Sequence, residues 1–387
     1  MVAEDRLGLV TDDGLNEEHE QEDNIFYHHE SHVQQQPSHG LLYLASVSAA
    51  LGGVIFGYDV GVIAGARSQV AKEMDLLCTQ EELLVSLMPL GAVSSSLVSG
   101  KMMDNLGRKV TIQITCLVFL AGSLMMSLSS NFGSILVGRF LVGAGVSLSA
   151  ISESCYISEI STARNRGRLV SLNELGITVG FLLAFIVDYT FMNMTSGWRL
   201  MFGLSSVIAI VQLIFMTFMP ETPHFLVMKG RDLRAIAIMK KIHCVGGVIA
   251  QREVEKIKSE KKLERDTSCS FICSSEDNMR SRLMVGLGLV IAQQLTGQPN
   301  VMTYAGDIAQ SVGFCGDTLA NIATILLGMI KVFATLASLL LVDKLGRRTL
   351  LLSGVGVITV SLMCLVATSF YQVLEQHNNK TKSLQMR

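Results

Sequence analysis

Apolar runs of about 20 residues, separated by short polar or basic turns, recur along the chain from residue 41 onward. At ~1.5 Å per residue each is long enough to cross a hydrocarbon core. The pattern predicts nine membrane helices, at roughly 41–66, 83–103, 110–130, 134–157, 169–190, 199–219, 283–305, 318–342 and 348–371. In the first run Gly53, Gly57, Gly61 and Gly65 recur every four residues, a smooth stripe against which a neighbouring helix can pack backbone to backbone. Asp59 interrupts this run. At about 100° per residue it lies roughly 200° from Gly57, so the acid is expected to turn away from the stripe and face a polar cavity. A carboxylate inside a membrane costs at least ~2.5 kcal/mol unless it is paired or wetted, which makes Asp59 a candidate functional residue. The bland alternative is an Asp held by backbone hydrogen bonds at a helix break.

Lysines and arginines orient these helices. With the N-terminus inside, the inner turns hold Arg108 with Lys109, Arg164 with Arg166 and Arg168, thirteen basic residues over 220–282, and Lys344 with Arg347 and Arg348. The outer loops hold far fewer. Nine spans leave the C-terminal residues 372–387 outside, where Asn379-Lys-Thr381 reads as a glycosylation sequon. Residues 1–40, with ten acids, one Arg and five of the eight His, read as a disordered cytoplasmic tail. Residues 220–282 form the one sizeable polar insert, read as short amphipathic linker helices at the membrane surface between a six-helix unit (41–219) and a three-helix unit (283–371).

Composition agrees: 49% hydrophobic and 17% charged residues describe a polytopic membrane protein rather than a soluble domain. A net charge of −2 gives no basic excess for nucleic acid. Eight cysteines lack metal-ligand spacing, Cys269 and Cys273 included, and no nucleophile constellation or phosphate cradle points to an enzyme or a cofactor.

An internal repeat sets the expected architecture. Gly100-Lys-Met-Met-Asp-Asn-Leu-Gly-Arg-Lys109 after the second span is echoed by Leu339-Leu-Leu-Val-Asp-Lys-Leu-Gly-Arg-Arg348 after the eighth. Both place an Asp at a helix end, a Gly for the turn and a basic pair on the inner face. Two copies six spans apart imply a duplicated six-helix unit, as in many transporters.

Together with Gly57-Tyr-Asp59, Gly138-Arg139, Glu159 followed by Arg164-Asn-Arg-Gly167, Pro220-Glu-Thr-Pro223 and Gln293-Gln-Leu-Thr-Gly297, these loops resemble the sugar porter family of the major facilitator superfamily, from about Gly40 to the end. Ser171-Leu-Asn-Glu174, Thr296-Gly-Gln-Pro-Asn300 and Phe225-Leu-Val-Met-Lys-Gly230 look most like the class III facilitative glucose transporters, type 12 more than type 10. The resemblance implies an all-α major facilitator fold. It also implies alternating-access hexose transport and an inner charge network of Asp104, Arg108, Lys109, Glu159, Arg166, Glu221, Asp343, Arg347 and Arg348. His224 stands where the family usually has Arg. Family members have twelve spans, so the expectation is a form truncated after the ninth, carrying a complete N-terminal bundle and a partial C-terminal one. Such a chain is expected to transport little or nothing alone, or to partner with or inhibit full-length copies.

Within that resemblance Gln293 and Gln294 inherit the role of binding sugar hydroxyls, Gly297 and Pro299 interrupt the seventh helix as a gate, and Asn300 lies beside the position of a further family contact. The family's sugar-binding Gln of the fifth span is Glu174 here and its Asn of the eighth is Lys331. Counted from the span ends, both lie about 9 to 10 Å above the inner side of a ~30 Å core, which predicts a charge pair across the cavity. Asp59 and Arg139 likewise share a depth of about 8 to 10 Å from the outer side. In proton-coupled members the matching pair is proton acceptor and partner, so the expected ligands are a hexose and protons, with passive uniport as the rival. Glu153, a buried acid of the fourth span, matches no family position. The expected location is a multi-pass protein of the plasma membrane or endomembranes with its N-terminus cytoplasmic.

Overall fold

The computed structural model describes residues 40–162, 165–243, 246–266, 279–311 and 317–385, all of whose regular elements are helices. The expected acidic tail, Arg164, Cys269 and Cys273 lie outside the described residues. Helix α1 (Gly40–Gly61) passes almost without a break into α2 (Ile63–Met74), because Val62 N–H donates to Tyr58 O (2.8 Å) and Val62 O accepts from Ala66 N–H (3.0 Å). The first helix therefore runs past its predicted end at 66. Then follow α3 (Cys78–Leu106), α4 (Arg108–Ser127), α5 (Phe132–Ile160), α6 (Arg166–Phe191) and α7 (Gly197–Phe218). Pro89 sits inside α3.

These helices bury their apolar stripes against one another: α1 on α6, α3 on α5, α4 on α5 and α7. The α1–α6 contact has the closest backbones. A Cβ on Gly57 would collide with the carbonyl of Ile177 in α6, and one on Gly180 would collide with the carbonyl of Val54 in α1. The glycine stripe read from the sequence thus meets a reciprocal stripe on α6, and the two backbones touch as membrane helices do when no side chain intervenes. Two apolar clusters fill the bundle, one toward the α2 end around Tyr58, Trp198, Met201 and Phe202, the other toward the start of α1 around Leu42, Ile112, Tyr156 and Ile157.

The linker folds as α8 (Pro223–Met228), α9 (Asp232–His243) and α10 (Gly247–Asp266). These bury Leu226, Val227, Ala235, Met239 and Val254 among themselves. Thr222 caps α8 by accepting the Phe225 N–H, and Pro223 fills the first turn, where its missing N–H costs nothing.

Among the described residues eight helices are long and apolar enough to cross a membrane. The predicted seventh span is the ninth, and it is broken into α11 (Met279–Leu295), α12 (Gln298–Thr303) and α13 (Ala305–Ser311). Gly297 makes the first break at φ +71°, a backbone region that glycine enters without strain, and Pro299 lies in the first turn of α12. Helix α14 (Asp317–Leu345) lies along α6. The last helix, α15 (Arg347–Gln385), extends through the residues expected to form an outer tail. No Gly or Pro after Gly356 stops it, so Asn379 lies on helical backbone rather than in an open loop. The side chains of Asp343, Arg347 and Asn379 lie outside the described residues.

The α1–α6 contact is the most sensitive point of this packing. Gly57→Leu is expected to lower the melting temperature in detergent markedly, since overpacking a core costs ~1–3 kcal/mol even where side chains can yield, and here the neighbour is backbone. Gly100→Leu, with nothing within 4 Å of its added carbon, is expected to leave the melting temperature unchanged.

Candidate functional site

The stripe that locks α1 to α6 turns Asp59 toward α5 and α7. Asp59 is fully buried, and Arg139 of α5 is 1% exposed. Arg139 donates from Nη1 to the backbone carbonyl of Asp59 (3.2 Å) and lays its guanidinium over the Phe202 ring, 4.6 Å from the centroid. The two carboxylate oxygens of Asp59 and the Nε and Nη2 of Arg139 have no hydrogen-bond partner among the described residues. The Ser205 hydroxyl of α7 is spent on Phe202 O (2.9 Å). Asp59 is fully buried at this position and does not line the cavity between α6 and α14 described below. The acid and the guanidinium meet through the backbone, while their charged atoms remain available to each other.

Glu153 gains an account here. Its Oε1 accepts from Ser149 (2.5 Å) and from Gln212 of α7 (2.8 Å), and the missing side chain of Gly52 leaves it room beside α1. Cys116 of α4 donates to the other end of the Gln212 amide (3.4 Å). This polar knot ties α4, α5 and α7 together beside α1, where unsatisfied polar groups are costly.

The inner network assembles around Arg108, which bridges to Glu159 (2.8 Å) and reaches Asp104 (3.8 Å). Gly107, at φ +96°, makes the turn that brings the Lys109 N–H onto Glu221 (3.1 Å), which also accepts the Thr222 N–H (3.1 Å). Burial pushes the Glu221 carboxyl above its ordinary range against those two hydrogen bonds. Lys109 Nζ caps Thr217 O (2.8 Å). Arg166 and Arg348 are exposed, and neither joins this group. Gly346, at φ +79°, repeats the turn of Gly107 in the second copy of the motif.

A cavity of about 370 Å³ lies between α6 and α14, lined among others by Ser171, Glu174, Lys331, Thr335 and Ser338. Glu174 and Lys331 thus face one space from the two halves. They do not form an ion pair: the Lys331 ammonium sits 4.0 Å from the centroid of the Phe181 ring, and Glu174 is exposed. Gln293 and Gln294, near the end of α11, and Asn300 in α12 are exposed and do not line this cavity. The structure brings together two of the five expected sugar-facing residues.

Two outer features escaped the sequence reading. Arg67 of α2 is ion-paired with Asp307 of α13 and lies 4.9 Å over the Tyr304 ring, whose hydroxyl donates to Glu82 of α3 (2.8 Å). These contacts bridge the halves at the α2 end of the bundle. Nothing in the local pattern around Arg67 distinguishes it from any basic loop residue. Nearby, Glu73 accepts from Trp198 Nε1 (2.7 Å) and Ser196 Oγ (2.9 Å), with Arg199 at 3.6 Å. The Trp198 hydrogen bond, aided by the other two partners, holds the Glu73 carboxyl below its ordinary 4.5.

Trp198 is the only tryptophan in the chain and is fully buried, so its fluorescence reports this contact. The depressed carboxyl makes the contact fully present above about pH 4.5, and the contact is lost as the pH falls through the lower, folded value. An acid titration is expected to change Trp198 emission with a midpoint below 4.5, and Glu73→Gln is expected to abolish that transition.

The chain is 38% identical over 355 residues to the facilitated glucose transporter member 12 of Xenopus laevis, covering 92% of this chain and 60% of that protein. It is 41% identical over 326 residues to member 10 of Homo sapiens, covering 84% and 57%. The chain thus spans about 60% of the length of these relatives. Among solved structures it resembles the proton:xylose symporter XylE bound to 6-bromo-6-deoxy-D-glucose, with 25% identity and a TM-score of 0.71 over 80% of this chain and 70% of that one. It also resembles a partially occluded inward-open form of XylE from E. coli, with 26% identity and a TM-score of 0.67 over 79% and 74%. The family profile described as "Sugar (and other) transporter" matches residues 45–386, and with these relatives it establishes that the chain belongs to the sugar transporter family of multi-pass membrane proteins.

Proposed function

We propose that the protein is a secondary transporter of hexose sugars that works by alternating access and is coupled to protons. The observation that carries this reading is the asymmetry between the two ends of the α6–α14 interface. At the outer end the halves are tied by Arg67 to Asp307 and by Tyr304 to Glu82. From Lys331 toward Val342 a cavity runs about 16 Å along α14 to the inner side, with Glu174 on its opposite wall. A structure closed outside and open inside is one of the two end states that alternating access requires. Closing the cavity would draw Lys331 off Phe181 and onto Glu174. The relatives named for glucose and for proton:xylose transport support the hexose and the proton, respectively.

A second reading is favoured by a separate observation. The apolar residues of α11 and of the spanning part of α15 are exposed throughout, and Gln293 and Gln294 look out from that surface. Such a chain fits a non-transporting partner of longer family members.

Radiolabelled glucose uptake into proteoliposomes at two external pH values separates these readings. Proton-coupled transport is expected to rise with external acidity and to fall about 5- to 150-fold in Asp59→Asn, the range of ordinary coupling free energies. A passive uniporter would respond to neither. A partner protein would show no uptake of its own and would alter uptake by a co-reconstituted longer transporter.

The outer bridge gives a second expectation for the transporter reading. Arg67→Asp and Asp307→Arg are each expected to reduce uptake, and the double exchange is expected to restore it. Contacting residues couple by about 0.5–3 kcal/mol, which a double-mutant cycle on the uptake rate can resolve.

A further inference from the structure

Where α3 ends at Leu106 and α4 begins at Arg108, the linker helices leave a space of about 420 Å³ between themselves and the bundle. Leu106 and Val110 wall it from the bundle, Phe225 and Ile238 from α8 and α9, and Arg231 and Arg234 also line it. Both α3 and α4 are long and apolar enough to span a membrane. Their shared turn therefore lies where hydrocarbon gives way to lipid headgroups, and the space beside it lies at the same level. Leu106 and Val110 are 44% and 37% exposed there, so the apolar wall is open to whatever fills the space.

The two arginines are placed against the preference of their helix. Arg231 O accepts the N–H groups of Arg234 (3.1 Å) and Ala235 (3.1 Å), so both residues flank the first turn of α9. A helix N-terminus carries partial positive charge and favours acids, and here two cations add to that charge instead of cancelling it. The acid of this turn, Asp232, is held by Lys258 of α10 (2.7 Å). Glu221, the acid of the lining, accepts the backbone N–H groups of Lys109 and Thr222 (3.1 Å each). Arg108 is bridged to Glu159, and Lys229 lies over the Phe225 ring. Arg231 and Arg234 are exposed, and neither side chain has an ion pair or hydrogen bond among the described residues. Between them Leu233 is 85% exposed. A leucine turned away from the core beside two unpaired cations suits an element lying on a membrane surface, with the apolar side chain dipping inward and the cations toward phosphate.

We infer that this space is a binding site for one anionic phospholipid, whose phosphate is held by Arg231 and Arg234 and whose acyl chains lie against Leu106, Val110 and Phe225. Guanidinium groups match phosphate oxygens in paired hydrogen bonds, and the N-terminus of α9 adds its own attraction for the anion. A free phosphate ester would satisfy the arginines but leave the apolar wall wet, whereas a lipid covers both. The lipid touches the α3–α4 turn and α9 at once, so it fastens the linker to the bundle. No residue of the cavity between α6 and α14 takes part, and the inference stands whichever reading of the sugar route holds.

Native mass spectrometry of the full chain in detergent, titrated separately with phosphatidylglycerol, phosphatidylcholine and glycerol phosphate, tests this. One phosphatidylglycerol is expected to be retained in preference to the other two. Arg231→Gln with Arg234→Gln is expected to weaken it about 30-fold, about fivefold for each basic residue withdrawn from an anionic lipid. Lys240→Gln with Lys256→Gln removes the same charge from exposed linker positions outside the space and is expected to change little. Ala237→Trp fills the space without altering charge and is expected to weaken retention by a comparable factor, which keeps the test decisive should the arginine variant not fold. Equal losses in the two charge-removing variants would show diffuse attraction and overturn the site, as would retention indifferent to Ala237→Trp or equal retention of the two lipids. Glycerol phosphate held as tightly as phosphatidylglycerol would overturn the lipid as occupant.

Discussion

The backbone contact between α1 and α6 is the constraint from which the working parts follow. Helices in hydrocarbon gain nothing from hiding apolar side chains from lipid, so close approach of small residues supplies the adhesion. Gly57 and Gly180 bring the two backbones into contact. With that face fixed, Asp59 can turn only toward α5 and α7, where Arg139 and Phe202 wait. The same registry sets Asp188 beside Gly65 and turns Glu174 outward to the cavity it shares with Lys331. One interface thus places the buried Asp59 on one side and the inter-half cavity on the other.

Several buried polar groups of the bundle tie one helix to another. Glu153 joins α5 to α7 through Gln212, and Tyr58 reaches the α7 backbone. At the inner surface Arg108, Glu159 and Glu221 tie the α3–α4 turn to the linker. These contacts hold the six helices of the N-terminal half together as one packed body. Asp59, Arg139 and Asp188 are among the residues whose buried polar atoms have no partner among the described residues, together with Ser46, Asn173 and one oxygen of Glu153. Unsatisfied polar atoms in a low-dielectric interior are costly to keep.

The two halves differ in how much they bury. Half of the spanning window of α5 is buried, against 6% for α14 and none for α15. Helix α14 owes its place to α6, where Phe181, Phe185 and Met302 form a small shared apolar cluster with Ile325. The outer bridge through Arg67 and Tyr304 adds the only charged ties described between the halves. The contacts described between the halves are thus few and partly exposed.

The sequence by itself marked out the apolar runs that form the helices, the glycine stripe, the break at Gly297, the repeated Gly turns and the common level of Asp59 with Arg139. All of these depend on periodicity along one chain segment or on counting residues from a membrane boundary. What stayed hidden depends on which faces meet across segments far apart in the chain. Glu153 found its partner in Gln212, Arg67 in Asp307, and Lys331 settled on Phe181 instead of Glu174. Asp188 near a helix end looks in sequence like an acid reaching water. Only the packing of α2 over it makes it a buried charge, because burial is a property of neighbours and not of the residue.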